Sequence, residues 1–252
     1  YLRTDGIFGV PLGVSASFIF LFVLFGAILS VTGAGQFFID LSLALTGRSQ
    51  GGPGKAAVVA SGLMGTVSGS SVANAVTTGA FTIPLMKKAG YTSNFAGAVV
   101  AASSTGGQVM PPVMGAAAFI MAQFLGISYW DIVVAAALPA TLYFISIMAM
   151  VHFRAGKRGI QSLTEETAPK VGKVLKEGWH LLLPIITLVI FLAMGYSAVK
   201  AVFWSIVLMV GVSWMGKPEY RMTPKRLLDA LIAGGMGAVE VAAACACSGL
   251  VI

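Results

Sequence analysis

Charge is scarce in this chain. Only 10% of its 252 residues are Asp, Glu, Lys or Arg, against 57% hydrophobic, whereas a soluble domain carries about 25% charged residues. With a mean hydropathy of +0.90, this excludes an ordinary soluble globule and predicts an integral, all-α membrane protein. Cysteine is nearly absent. Cys245 and Cys247 lie two positions apart in an apolar run, where a helix points them to different faces, so neither a disulfide framework nor a zinc site is implied. The two histidines, His152 and His180, have no partner at metal-ligand spacing. No HExxH, Walker A or GxSxG motif occurs, which leaves metalloprotease, nucleotide-hydrolase and serine-hydrolase readings without their usual signatures. No organic cofactor is expected. The net charge of +7 is not a nucleic-acid footprint, because the basic residues gather between hydrophobic spans, where they set membrane topology.

What the chain has in quantity is glycine, 31 residues, together with 12 methionines. Both suit close helix packing and irregular membrane segments. The most informative stretch is 54–88, GKAAVVASGLMGTVSGSSVANAVTTGAFTIPLMKK. It is apolar enough for a membrane, yet a small-polar run from Thr66 to Ser71 breaks its centre, with Asn74 just after. Arg48 and Lys55 precede it and Lys87 and Lys88 follow. Basic residues collect on the cytoplasmic side, so both ends are expected on the same face and the segment turns back. Arms of about 15 residues reach roughly 22 Å, short of a ~30 Å hydrocarbon core. The spacing therefore predicts a re-entrant helical hairpin with its polar tip near mid-membrane. Irregular backbone persists at that depth only when buried in protein or lining a wet cavity.

A second break follows. Residues 92–126 are apolar but interrupted by Ser103-Ser104-Thr105-Gly106-Gly107-Gln108 and then Pro111-Pro112. Tandem proline removes two backbone donors and disfavours helix just before it, so two half-helices joined by unwound backbone are expected. Residues 11–46 form a first apolar element that spans to about Val31 and bends after Gly35. Gly90 is a natural stop for the hairpin's second arm. Trp130 and Asp131 mark an outer interface, and 132–153 an ordinary span. The most polar stretch, 154–178, carries Arg154, Lys157, Arg158, Lys170, Lys173 and Lys176 against Glu165, Glu166 and Glu177, and reads as a cytoplasmic loop. Two short spans at 180–197 and 199–215 turn outside near Tyr196–Lys200. Lys217, Arg221, Lys225 and Arg226 return the chain to the cytoplasm. Charge on every loop agrees with this path only if 54–88 is re-entrant. The chain ends at Ile252 within an apolar stretch, and a fragment of a longer polytopic protein is expected.

The segments GSSVANAVTTGAFTIPLMKKAGY (69–91) and AASSTGGQVMPPVMGAAAFIMA (101–122) resemble the large membrane subunit of tripartite ATP-independent periplasmic (TRAP) transporters. The spacing and the Trp130-Asp131 region are most similar to the fused permeases that work with TAXI-type receptors. The resemblance implies an inverted-repeat, ion-transporter-type fold, with an elevator-type transport domain against a scaffold. Residues 1–153 would be the first repeat, 154–178 a cytoplasmic loop, 179–226 a scaffold-like helical pair and loop, and 227–252 the truncated start of the second repeat. It also implies inward movement of a small anionic solute with sodium as coupling ion. An extracytoplasmic TAXI-type solute-binding protein would deliver that solute to a bacterial or archaeal inner-membrane permease embedded in the lipid bilayer. A second hairpin, with its cation site, lies outside this sequence.

Backbone carbonyls and hydroxyls can strip a sodium ion of water without adding charge. The expected cation ligands are Ser68, Gly69, Ser70 and Asn74 at the tip, with Ser103, Ser104, Gly106 and Gly107 at the unwound segment. Ser71, Thr105, Gln108 and Pro112 are the expected solute-binding residues. Ser71 and Pro112 lie where new half-helices begin, and helix N-termini favour carboxylates. The plainer reading is that these small residues permit tight packing and the serines bond carbonyls four residues back. No acidic residue lies at either break, so no proton relay is visible there. Glu240 is the one acidic candidate in a late span. Two other classes remain open: a passive channel with a re-entrant loop, and an intramembrane hydrolase using Ser70 or Ser71.

Overall fold

The computed structural model describes residues 6–160, 162, 169–215 and 220–249. Glu165, Glu166, Lys217 and Ile252 lie outside the described residues. All regular structure within them is helical. In chain order the helices are α1 (Val10–Val14), α2 (Phe20–Val31), α3 (Ala34–Thr46), α4 (Gly52–Ser68), α5 (Ser71–Lys88), α6 (Ser93–Gly106), α7 (Ala116–Leu125), α8 (Tyr129–Arg158), α9 (Val171–Gly178), α10 (Leu183–Ala193), α11 (Ala198–Val212) and α12 (Pro224–Gly249). A π-helical turn at Ser15–Ile19 joins α1 to α2, making one apolar element from Val10 to Val31.

Four described helices are long and apolar enough to cross a membrane: Val10–Val31, Tyr129–Arg158, Ala198–Met215 and Pro224–Gly249. Counting the bent pair Val171–Leu181 and Leu183–Ala193 as one span makes five. The exposed face of α8 carries Val134, Leu138, Leu142, Ile145 and Phe153. That helical stripe of large apolar side chains suits lipid rather than water. The chain is a polytopic membrane protein.

Two compact units divide the chain. One comprises residues 33–114 and 136–179, the other 1–32, 115–135 and 180–252. In the first, α4, α5 and α6 pack on one another, and α3 lies against α4 and α9. Its core joins Val58 of α4, Met86 of α5, Val99 of α6, and Val151 and Ala155 of α8 around Tyr91. The Tyr91 hydroxyl donates to the Gly51 carbonyl at 3.2 Å, tying the start of α4 to the α5–α6 turn. In the second unit α12 packs along α2. Phe22, Phe119 and Tyr129 form an aromatic cluster there, with Phe119 and Tyr129 stacked at 4.3 Å.

Three elements depart from the sequence reading. The polar stretch 154–178 is not all loop, because α8 continues to Arg158 and α9 occupies Val171–Gly178. In α9 the lysines recur with helical spacing at positions 170, 173 and 176, while Val171 and Val174 turn inward. The half-helix expected near Pro112 begins instead at Ala116, after Met114 at φ 53° and an extended Gly115. Neither conformation fits the first turn of a right-handed helix.

Candidate functional site

The hairpin turns within its polar run. α4 ends at Ser68, Gly69 adopts the left-handed conformation (φ 59°, ψ −2°), and Ser70 is extended. Gly69 is required twice over: an L side chain rarely takes this φ, and a Cβ there would strike the Met114 carbonyl of the second break. Ser70 is the N-cap of α5, its Oγ accepting from the Ala73 amide at 3.3 Å.

The end of α4 lacks a bond that is common at the helix ends of this molecule, as does the end of α2 at Gly33. Four other helices end on a left-handed glycine: Gly90, Gly126, Gly159 and Gly195. In each, the next amide bonds to the carbonyl five residues back, as Tyr91 does to Met86 at 3.1 Å. Among the described residues, no amide from 69 to 71 returns to a carbonyl of α4. The last carbonyls of α4 therefore lack this cap, at the negative end of the helix dipole.

Asn74 is fully buried and staples the two arms. Its Nδ2 donates to the Ser61 carbonyl of α4 at 2.8 Å. The Thr78 hydroxyl donates to the Asn74 carbonyl at 2.7 Å, which leaves Ser61 Oγ to donate to Thr78 at 3.2 Å. This lattice links positions 13 and 17 residues apart, and nothing in the local sequence announces it.

At the second break α6 tightens before it ends. The amides of Gly107, Gln108, Val109 and Met110 bond to the carbonyls of Ser104, Thr105, Gly106 and Gly107, each three residues back, the tighter 3₁₀ pattern. The cis Pro111-Pro112 bond and left-handed Met114 follow. The two breaks meet. A Cβ on Gly65 of α4 would collide with the Gly107 backbone, and one on Gly107 would lie 2.7 Å from Asn74 Nδ2. Gln108 Nε2 donates to Ser71 Oγ at 3.1 Å, joining the tip to the break.

The expected residues thus take different parts. Gly69, Ser71, Asn74, Gly107 and Gln108 are brought together by these contacts. Ser68 Oγ reaches only the Ser70 carbonyl, at 3.5 Å. Ser103 is buried and bonds back to the Val99 carbonyl at 2.7 Å, as the plainer reading held. Thr105 does the same to Ala101 and is exposed. Gly106 packs against the Tyr143 ring of α8, and Pro112 is buried. Ser104 differs: its Oγ is buried with no hydrogen-bond partner. A buried hydroxyl without a partner is uncommon and costly, and it can serve a ligand. Among the described residues, no group of three or more His, Cys, Asp or Glu could hold a metal ion, so any ion here would be met by neutral oxygens. The partners of Ser70 and Ser71 are an amide N–H and a glutamine, neither of them a general base.

Residues 7–252 match the family described as the tripartite ATP-independent periplasmic transporter, DctM component. The chain belongs to that family. Among curated relatives, the sialic acid TRAP transporter large permease protein SiaM of Vibrio cholerae is 31% identical over 66% of this chain and 38% of its own length. The 2,3-diketo-L-gulonate TRAP transporter large permease protein YiaN of Escherichia coli is 28% identical over 66% and 39%. The C4-dicarboxylate TRAP transporter large permease protein DctM of Pseudomonas aeruginosa is 27% identical over 66% and 39%. The chain thus spans well under two thirds of the length of these relatives. Family membership and the apolar helices together place this DctM-family chain in the inner membrane as a multi-pass protein.

Proposed function

We propose that this chain carries the first half of the transport site of a sodium-coupled importer for an anionic organic solute. On this reading the hairpin α4–α5 is re-entrant and its tip lies at membrane depth. Sodium binds between the last carbonyls of α4 and the unwound segment after α6, with Ser104 Oγ and the second lone pairs of the Gly106 and Gly107 carbonyls as further ligands. Ser71, Thr105 and Gln108 face the solute. The observation that carries the proposal is the buried Ser104 hydroxyl without a partner, one turn before a break whose Gly107 backbone lies against Gly65 of α4.

The solute class follows the relatives named above, whose names include sialic acid and C4-dicarboxylates. Delivery by an extracytoplasmic solute-binding protein of TAXI type is the partner we propose, on the Trp130-Asp131 spacing. Coupling needs no covalent step. Ion occupancy has only to favour the solute-bound state, and the stapled hairpin would move as a body against a scaffold within an inverted-repeat fold. The test is uptake by the purified permease in proteoliposomes, with receptor outside and a panel of labelled organic acids. Concentrative uptake that needs both an inward sodium gradient and the receptor supports the proposal. Downhill flux indifferent to both overturns it and leaves a passive channel.

A further inference from the structure

The unit built from residues 1–32, 115–135 and 180–252 contains a cavity of about 300 Å³, at the small end of the range of ligand pockets. Its wall is mostly apolar and aromatic, with Phe119, Tyr129 and Trp130 from the α7–α8 corner and Leu192 and Tyr196 from the α10–α11 corner, and Gln123 and Ser128 also line it. The charge pattern assigns both corners to the outer side of the membrane, and the fold brings them to one cavity.

One edge of this cavity is polar. Ser197 and Ala198, at the N-terminus of the 15-residue α11, line it. The first amides of that helix present positive partial charge. Lys200, in the same first turn, holds its Nζ 4.5 Å from the Tyr196 ring, which fixes the ammonium beside the cavity mouth. The nearby carboxylate, Asp131, is engaged: it accepts from Ser128 Oγ at 2.8 Å, and its own amide bonds that hydroxyl at 3.2 Å. Two residues of the lining, Ile127 and Tyr196, are themselves exposed. An apolar rim of this kind faces hydrocarbon, with aromatic side chains at headgroup level.

We propose that this cavity is a phospholipid site. One acyl chain enters between the Phe119–Tyr129 stack and Leu192, and the phosphate sits against Lys200 and the first turn of α11. The ligand is an amphiphile because the lining is apolar while its edge is cationic. It is a lipid rather than an aqueous solute because the apolar lining reaches the outer surface of a membrane-spanning unit at Ile127 and Tyr196. The site is independent of the helix breaks described above.

The test is native mass spectrometry of the delipidated, detergent-purified permease titrated with phosphatidylglycerol. Ala122→Phe fills the cavity from its lining, and Lys200→Gln removes the cation. Each variant should weaken the apparent affinity for the first bound lipid at least fivefold while thermal stability without lipid stays close to wild type. Inorganic phosphate should not compete at millimolar concentration. Equal lipid retention in wild type and both variants would overturn the site as annular lipid only. Loss in Ala122→Phe alone would overturn the phosphate recognition. Should Ala122→Phe fail to fold, Ala193→Leu blocks the opposite wall and takes its place.

Discussion

Gly65 and Gly107 stand backbone to backbone, with no room for a methyl group on either. This contact sets the hairpin tip against the unwound end of α6. It explains glycine at two positions 42 residues apart that share no local structural need.

Gly107→Leu forces the two breaks apart. Overpacking of this kind costs about 1–3 kcal/mol and leaves the hydrophobicity of the spans, which drives insertion, unchanged. Transport should be abolished while the protein still reaches the membrane. Fractionation with a tagged variant, followed by uptake, measures both.

Asn74→Ala removes the donor to the Ser61 carbonyl and leaves that carbonyl buried. The expected loss is about 1–3 kcal/mol, read as a lower thermal midpoint in detergent. If the midpoint does not move, Asn74 does not staple the arms.

Gln108→Ala breaks the bond to Ser71 at an exposed position. Stability should change by less than about 0.5 kcal/mol, while the solute KM rises severalfold. An unchanged KM would remove Gln108 from the solute side of the site.

Burial pushes Tyr91 up to about 12 from its ordinary value of 10. A raised pKa means that the folded state holds the proton more tightly. Its contribution is present in full below pH 10 and is lost as pH climbs towards 12. Tyr91→Phe should lose the bond to Gly51, about 1 kcal/mol near neutral pH, and the difference from wild type should shrink between pH 10 and 12. Alkaline melting curves of the two proteins check this.

Both breaks were legible in the sequence, because small polar residues and glycine in an apolar segment leave backbone groups that a continuous helix would have satisfied. The unequal roles of Ser103 and Ser104 were not legible. Adjacent helical residues differ by about 100° in direction, so one bonds back to its own helix while the other is buried without a partner, and only packing decides which. The Asn74–Ser61 staple was equally hidden, because it joins opposite arms of the hairpin. Helix α9 was missed because three lysines in a short span were read as loop charge rather than as one helical face. The start of α7 was misplaced because proline suits a first helical turn, and nothing local signals the left-handed Met114 two residues later.

The most direct test is sodium binding at Ser104. The thermal midpoint of the purified permease would be titrated with sodium chloride against choline chloride, since a ligand that binds only the folded state raises the midpoint. Wild type and Ser103→Ala should show a saturable, sodium-specific rise. Ser104→Ala should start at a similar or higher midpoint, because it removes an unsatisfied hydroxyl, and need severalfold more sodium for the same rise. Identical sodium responses in all three proteins, or a rise that choline reproduces, would contradict a sodium site at this break.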